Sequence, residues 1–198
     1  MTIATIPPRA KRLRQAFASV AAQTLQPHAV VVEYDHDRTG AAATKNRALD
    51  KVTTEWVAPL DDDDLFLPHH LAALHAHALE TGADVVYSLP RVIGPDGQEQ
   101  PRAWDWGGGP EFDPELLQTK AYIQTTSLVR TEAALAVGGF AFITDRTGAV
   151  NDDHGFYLKL HTAGFRFAHL HEPTFIWNHH GYGTPGRPGN TSGQPSRW

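Results

Sequence analysis

Residues 56–68 read WVAPLDDDDLFLP: an apolar run, four consecutive aspartates, then an apolar segment that stops at a proline. The apolar part, residues 55–60, lacks helical spacing and reads as a short buried strand. Adjacent unit charges repel by about 1 kcal/mol per close pair in water, and by several times that where the dielectric falls. Two readings of the aspartates stay open. Aspartate is favoured at a helix N-cap and near the positive end of the helix dipole, which accounts for one or two of the four as solvated cap residues. A hard divalent cation, Mg²⁺ or Mn²⁺, would account for more of them, since carboxylate oxygens are its preferred ligands.

Working outward, the strand belongs to an alternating series. TIATI (2–6) is a strand candidate ended by Pro7 and Pro8, and residues 9–23 place Leu13, Phe17, Val20 and Ala21 at helical spacing. AVVVEY (29–34) is a second strand, β-branched and without alternation, as in a sheet covered on both faces. A helix follows over 40–52, and the segment opened by Pro68 predicts another to about Thr81. ADVVYSL (83–89) is a fourth strand. Strands separated by helices imply βαβ units and a Rossmann-like, mostly parallel sheet flanked by helices. Ligands of such sheets bind beyond the carboxyl ends of the strands, where the aspartate run sits.

Farther along, residues 90–118 are turn-rich and predict a hairpin or a long functional loop. A strand within 122–130, a short helix over 131–140 stopped by Gly138 and Gly139, a helix over 153–163 and a strand over 172–177 follow. The expected organisation is one domain over 1–182, in two halves, 1–90 and 91–182. Residues 183–198 form a Gly/Pro-rich tail, disordered or ordered by a ligand.

Composition narrows the class. The chain has 198 residues, 41% hydrophobic and 20% charged, in the ordinary globular range. It contains no cysteine, so disulfides and thiolate metal sites are excluded. A net charge of −5 argues against broad nucleic-acid binding. No apolar stretch is long enough to span a membrane, and the N-terminus lacks a signal-peptide core, which predicts a cytoplasmic protein.

Four constellations carry the chemistry. The aspartate run is the first. In EYDHDRTG (33–40), at the end of the second strand, Asp35 and Asp37 are turn residues before Gly40, or an acid there hydrogen-bonds a base or ribose. Asp152 and Asp153 in VNDDHGF cap the following helix, or one is a general base. His179 and His180 are surface residues, or one completes a metal site. Apart from these four, Trp104 and Trp106 are core anchors, or offer aromatic faces to a ligand.

Taken in order, these stretches resemble the family 2 glycosyltransferases. IPPR…SVAAQTL…VVVEYD, GAAATKNRAL, PLDDDDLFLPHHL, TTSLVRTEAALAVGGF and DDHGFYLKLHTAGF match successive family segments, spanning residues 2–180. The run contains a D-x-D motif, Asp61-x-Asp63. The resemblance implies a GT-A type α/β fold with a C-terminal acceptor-side segment. It also implies inverting transfer from a nucleoside diphosphate sugar, UDP being the commonest nucleotide, with Mn²⁺ or Mg²⁺. Asp35 would contact base or ribose, with Glu33 competing for that role. Pro7, Arg9, Lys45 and Asn46 fall among the nucleotide-sugar contacts, and Asp61 and Asp62 near the ribose. Asp63 would ligate the metal, with His179 or His180. Asp153 would be the base, beside an Asp152 one methylene shorter than the family's glutamate. Gln124 would join Trp104 and Trp106 at the acceptor. The acceptor hydroxyl belongs to a glycan, lipid-linked sugar, protein, small molecule or modified DNA. The alternatives are a non-catalytic sugar-nucleotide binder and an Asp/His metal-dependent hydrolase or nucleotidyltransferase.

Overall fold

The computed structural model describes residues 1–100, 111–144 and 150–178. Trp104, Trp106, His179, His180 and the 183–198 tail lie outside them.

The chain opens with β1 (Thr2–Thr5), a 3₁₀ turn (Pro7–Arg9) and α1 (Ala10–Ala21). Proline supplies a preset φ and no N–H, which suits the first turn of a helix. Next come β2 (Val31–Tyr34), α2 (Ala41–Leu49), β3 (Trp56–Val57), β4 (Pro59–Asp61), β5 (Leu65–Phe66) and α3 (His70–Thr81). The strand expected over 55–60 is thus divided at Ala58. Its first part pairs antiparallel with a later strand, and its second pairs parallel with β1. Pro59 has no N–H for a ladder and sits at the first residue of β4, where a strand tolerates it. The Ala58 carbonyl accepts the Thr2 N–H at 3.1 Å, so the chain passes from one sheet to the other.

The second half contains β6 (Val85–Ile93), β7 (Glu99–Gln100), α4 (Pro114–Leu117), β8 (Leu128–Arg130) and α5 (Thr131–Ala136). It ends with β9 (Ile143–Thr144), β10 (Val150–Asn151), α6 (Asp152–Thr162) and β11 (Phe167–Asn178). One sheet has the order β2-β1-β4 and is wholly parallel, as the βαβ pattern requires. A second runs β3-β8-β6-β11-β5 with β7 beside β6 and is mixed, and β9 and β10 pair antiparallel in a third. β6 and β11 are parallel, whereas β3, β5, β7 and β8 join antiparallel. The hairpin expected after residue 90 is the β6–β7 pair.

Both faces of β6 are buried. Val86 joins the core beneath α1 and α3 with Leu13, Leu60, Leu74 and Phe175. Val85 and Tyr87 join the core beneath α5 and α6 with Val129, Phe156 and Leu160. This explains why the strand reads as a continuous apolar run. Pro68 lies in a turn before α3, whose first residue is His70. Gly82 ends that helix at φ 63, the left-handed C-cap that glycine adopts without strain.

A histidine in this core makes stability pH-dependent. His70 is fully buried, stacks on Phe66 with ring centroids 3.8 Å apart, and meets the Thr174 hydroxyl through Nδ1 at 2.7 Å. Burial pushes its imidazole down to about 3. The unfolded chain takes up this proton near the usual 6.5 and the folded protein does not. The stability is therefore present above that value and lost as pH falls. Urea titrations should show about 2–3 kcal/mol of this loss by about pH 4.5, with a shallower slope in His70→Gln. Equal slopes in the two proteins would remove the assignment.

Candidate active site at the β4 turn and the start of α6

Strand register divides the aspartate run. Glu33, Ala4 and Asp61 occupy one row across β2-β1-β4, and side chains of one row share a face. α2 covers that face, approaching over the small Ala4, and its bases meet the acids. Lys45 Nζ lies 3.0 Å from Asp61 Oδ1, while Arg47 and Lys51 hold Glu33 at 3.0 and 2.5 Å. Asp62 turns the other way. Its carboxylate, 0% exposed, accepts from Thr5 Oγ1 at 2.6 Å and from Arg9 Nη1 at 2.7 Å. Burial pushes Asp62 up, and Arg9 and the Thr5 hydroxyl oppose that. The 3₁₀ turn at Pro7–Arg9 brings Arg9 over the run.

Asp63 faces Arg9 at 3.4 Å and Arg12 at 3.2 Å. The Asp64 carboxylate accepts the Asn178 N–H at 3.0 Å, and the Asn178 amide donates to the Asp63 carbonyl at 2.6 Å, tying the end of β11 to the turn. Every aspartate of the run is therefore engaged by a base, a hydroxyl or an amide. The N-cap reading fails, because β5 intervenes and His69, which caps α3, provides no side-chain hydrogen bond. Asp64 does not serve the turn into α3 either; it serves the end of β11.

The β2–α2 loop uses its own acid. Asp35 is buried, accepting from the Thr39 N–H and hydroxyl at 2.8 and 2.9 Å and from the Gly40 N–H at 2.8 Å. Burial opposes its charge, but these donors hold it below the usual carboxylate value. Arg38 stands at φ 55 in this loop, a left-handed conformation that non-glycine residues rarely adopt. The sequence leads Asp35 and Glu33 to a base or ribose; the structure commits Asp35 to closing its loop and Glu33 to Arg47 and Lys51.

α6 begins at the second acidic pair. Asp152 Oδ2 lies 3.0 Å from Lys45 Nζ, which also donates to Thr125 Oγ1 at 3.2 Å, ahead of β8. Burial opposes the Lys45 charge, but Asp152, Asp61 and Asp153 raise its pKa overall. Asp153 keeps slight contact with solvent, yet burial and the neighbouring Asp152 push its carboxyl up to about 7, with Lys45 opposing. Gly155, in the next turn, packs directly against the Ala141 carbonyl. Two of the residues that the resemblance places at the nucleotide sugar have protein partners here. Asn46 holds the Phe140 main chain through both ends of its amide, at 2.9 and 2.7 Å, so it braces the Gly138–Phe140 turn. Lys45 is occupied by protein carboxylates. Gln124 is partly buried, and its carbonyl accepts the Tyr157 hydroxyl at 2.8 Å.

Arg12, Thr5, Thr125 and Asn178 belong to the site but are not among the residues that the sequence singles out. Arg12 alone left a trace, three residues after Arg9 on the polar side of α1. The others act across the fold.

Asp63 provides a hard carboxylate oxygen, its side chain 20% exposed, and fits a divalent cation in kind. Among the described residues, no three His, Asp or Glu side chains are placed to hold a metal ion. No helix among those residues is long and apolar enough to cross a membrane.

The fold is similar to that of S. aureus TarS 1–349 in complex with UDP, at a TM-score of 0.68 and 19% identity, covering 89% of this chain and 59% of that one. The UDP-GlcNAc complex of the same protein also gives a TM-score of 0.68. The mannosyltransferase PcManGT from Pyrobaculum calidifontis, in complex with GDP-Man and Mn²⁺, gives 0.60 at 16% identity, over 89% of this chain and 56% of that chain. The chain thus spans less than two thirds of these GT-A proteins, and the likeness is one of fold. No curated protein matches the sequence. The model described as "Glycosyl transferase family 2" matches residues 15–147, more than half of the chain, and the protein belongs to that family.

Proposed function

We propose that the protein transfers a sugar from a nucleoside diphosphate sugar, UDP-linked in the first instance, to an acceptor hydroxyl with inversion at the anomeric carbon. One observation carries the reading. Lys45 Nζ lies 3.0 Å from both Asp61 and Asp152, which joins the end of β4 to the acidic start of α6 in one site.

Asp153 acts as the base. The acceptor oxygen forms a bond to the anomeric carbon, the bond from that carbon to the diphosphate oxygen breaks, and its electron pair leaves with the diphosphate. The acceptor proton passes to Asp153, whose carboxyl, pushed up to about 7, is matched to taking a proton near neutral pH. Asp63 is the residue that would hold Mn²⁺ or Mg²⁺; the bound cation offsets the charge developing on the diphosphate. Arg12, and Arg9 while it holds Asp62, are the cations beside Asp63 that would face the phosphates.

A thermal-shift screen of nucleoside diphosphate sugars with and without Mn²⁺ tests the reading. Saturating the right donor at about 100 times its Kd stabilises the protein by about 2.7 kcal/mol. The Mn²⁺-dependent part of that shift should vanish in Asp63→Asn. No stabilisation by any diphosphate overturns the reading, and stabilisation without transfer reduces the protein to a sugar-nucleotide binder.

A further inference from the structure

Lys45 is enclosed by protein oxygens. Its side chain is 7% exposed, and its ammonium has three oxygen neighbours: Asp61 at 3.0 Å, Asp152 at 3.0 Å and Thr125 at 3.2 Å. It donates to the Thr125 hydroxyl, and the two carboxylates are ion-pair contacts. The Phe140 ring closes another side, its centroid 5.2 Å from Nζ. Asp61 Oδ1 and Asp152 Oδ2 are buried and accept no hydrogen bond among the described residues, so the charge of this ammonium, 3.0 Å from each, is what balances them. A buried charge without such a partner is strongly disfavoured.

Its three neighbours come from three parts of the fold: the end of β4, the start of α6 and the segment leading into β8. Lys45 itself stands on α2. We propose that Lys45 is a positioning residue that locks the donor-side turn to the catalytic helix by pairing with Asp61 and Asp152, leaving Asp153 to take the acceptor's proton. The proposal rests on the glycosyl-transfer reading for its catalytic meaning. It answers a question that the sequence leaves open, which of the two adjacent aspartates is the base.

The charges that act on Asp153 are Asp152 on the same helix, Lys45 from α2 and Asp61 from β4; the His154 N–H donates to its Oδ1 at 2.8 Å, and Tyr157 lies one turn along α6. Burial, Asp152 and Asp61 all raise its carboxyl, while Lys45 lowers it. Tyr157 is occupied by Ser127 and His154 by the Leu117 carbonyl, so Lys45 is the cation of this set. A base works only when deprotonated. Removing the Lys45 charge therefore moves the acidic limb of the rate profile to higher pH.

The test compares the wild type, Lys45→Arg, Lys45→Met and the charge-balanced double variant Lys45→Met/Asp152→Asn. Transfer is measured from about pH 5.5 to 9 with the donor that gives the thermal shift. The Asp153 carboxyl is followed by carbon NMR in the substrate-free protein. For Lys45→Met, the acidic limb and the Asp153 midpoint should rise together by about one pH unit. That is a roughly tenfold loss of kcat at low pH, recovered at high pH, with donor KM changing less. Lys45→Arg keeps the limb near that of the wild type. The double variant returns the midpoint toward the wild-type value, and it decides the case if Lys45→Met does not fold. An equal loss of kcat at every pH, or an unmoved Asp153 midpoint, overturns the proposal. The NMR arm uses no donor, so it decides the Lys45 proposal even if the protein transfers no sugar, an outcome that would instead sink the proposed function.

Discussion

Asp153→Asn is expected to lower kcat by about 10²–10⁴-fold while changing donor affinity by less than about twofold. The substitution is nearly isosteric and removes only the capacity to take a proton. Asp61, Asp62 and Asp63 sit on another element and keep their partners, so donor binding is spared. Stability separates this result from misfolding. The Asp153 carboxyl is held up at about 7, above its value in an unfolded chain. The folded protein therefore binds that proton more tightly, and ionising the group weakens the fold as pH rises through that value. A neutral amide avoids this cost, so Asp153→Asn should be at least as stable as the wild type at about pH 8. The wild-type rate should fall below about pH 7, where the base is protonated. Full activity in Asp153→Asn would move the base elsewhere. A cooperative melt shifted well below that of the wild type would make the loss of rate structural.

Gly155→Ala is expected to destabilise the protein by about 3 kcal/mol, lowering Tm by roughly 6–12 °C, and to reduce transfer sharply. In a helix this change normally stabilises, because glycine loses about 1 kcal/mol relative to alanine. Here the sign reverses. A Cβ at Gly155 meets the Ala141 carbonyl oxygen at a distance that no real Cβ tolerates, with Ile143 Cγ2 only 3.1 Å away. The first obstacle is backbone, which cannot rotate aside as a flexible side chain does. α6 must back away, and its first turn carries Asp152 and Asp153. Misplacing a base by about 1 Å can cost a hundredfold in rate. The two readouts, Tm by calorimetry and kcat by donor consumption, should therefore fall together. A Tm equal to or above that of the wild type would show that residues 141–143 yield, and would dismiss the close approach as a constraint on the site.

The aspartate run shows where sequence reading stops. Its position at a strand end and its D-x-D spacing were legible from local pattern and from resemblance, as was the acidic pair at the start of α6. The family, the parallel β2-β1-β4 arrangement and most helices follow from the same local signals, because hydrophobic period and turn chemistry act between near neighbours. The division of the stretch between β3 and β4 was not legible. Both halves are equally apolar, and only their partners, β8 and β1, distinguish them.

Partnership was the hidden quantity throughout the site. Asn46 and Lys45 are adjacent residues that the family pattern places together at the nucleotide. The fold sends one to the Phe140 main chain and the other between Asp61 and Asp152. Glu33 and Asp35 both end β2, yet Glu33 faces α2 and pairs with its bases while Asp35 closes the loop beneath Gly40. Such choices depend on which face of a strand a side chain occupies and on what packs there. Both are set by contacts between residues far apart in the chain.

The sequence by itself determined the alternating α/β organisation, the family and the two acidic clusters on which the chemistry rests, since periodicity and motif spacing are local. Only the tertiary structure decided what each carboxylate does. A charge entering the low-dielectric interior must find its counter-charge, and Lys45, Arg9, Arg12 and Asn178 reach the aspartates only once α2, α1 and β11 are packed around the turn.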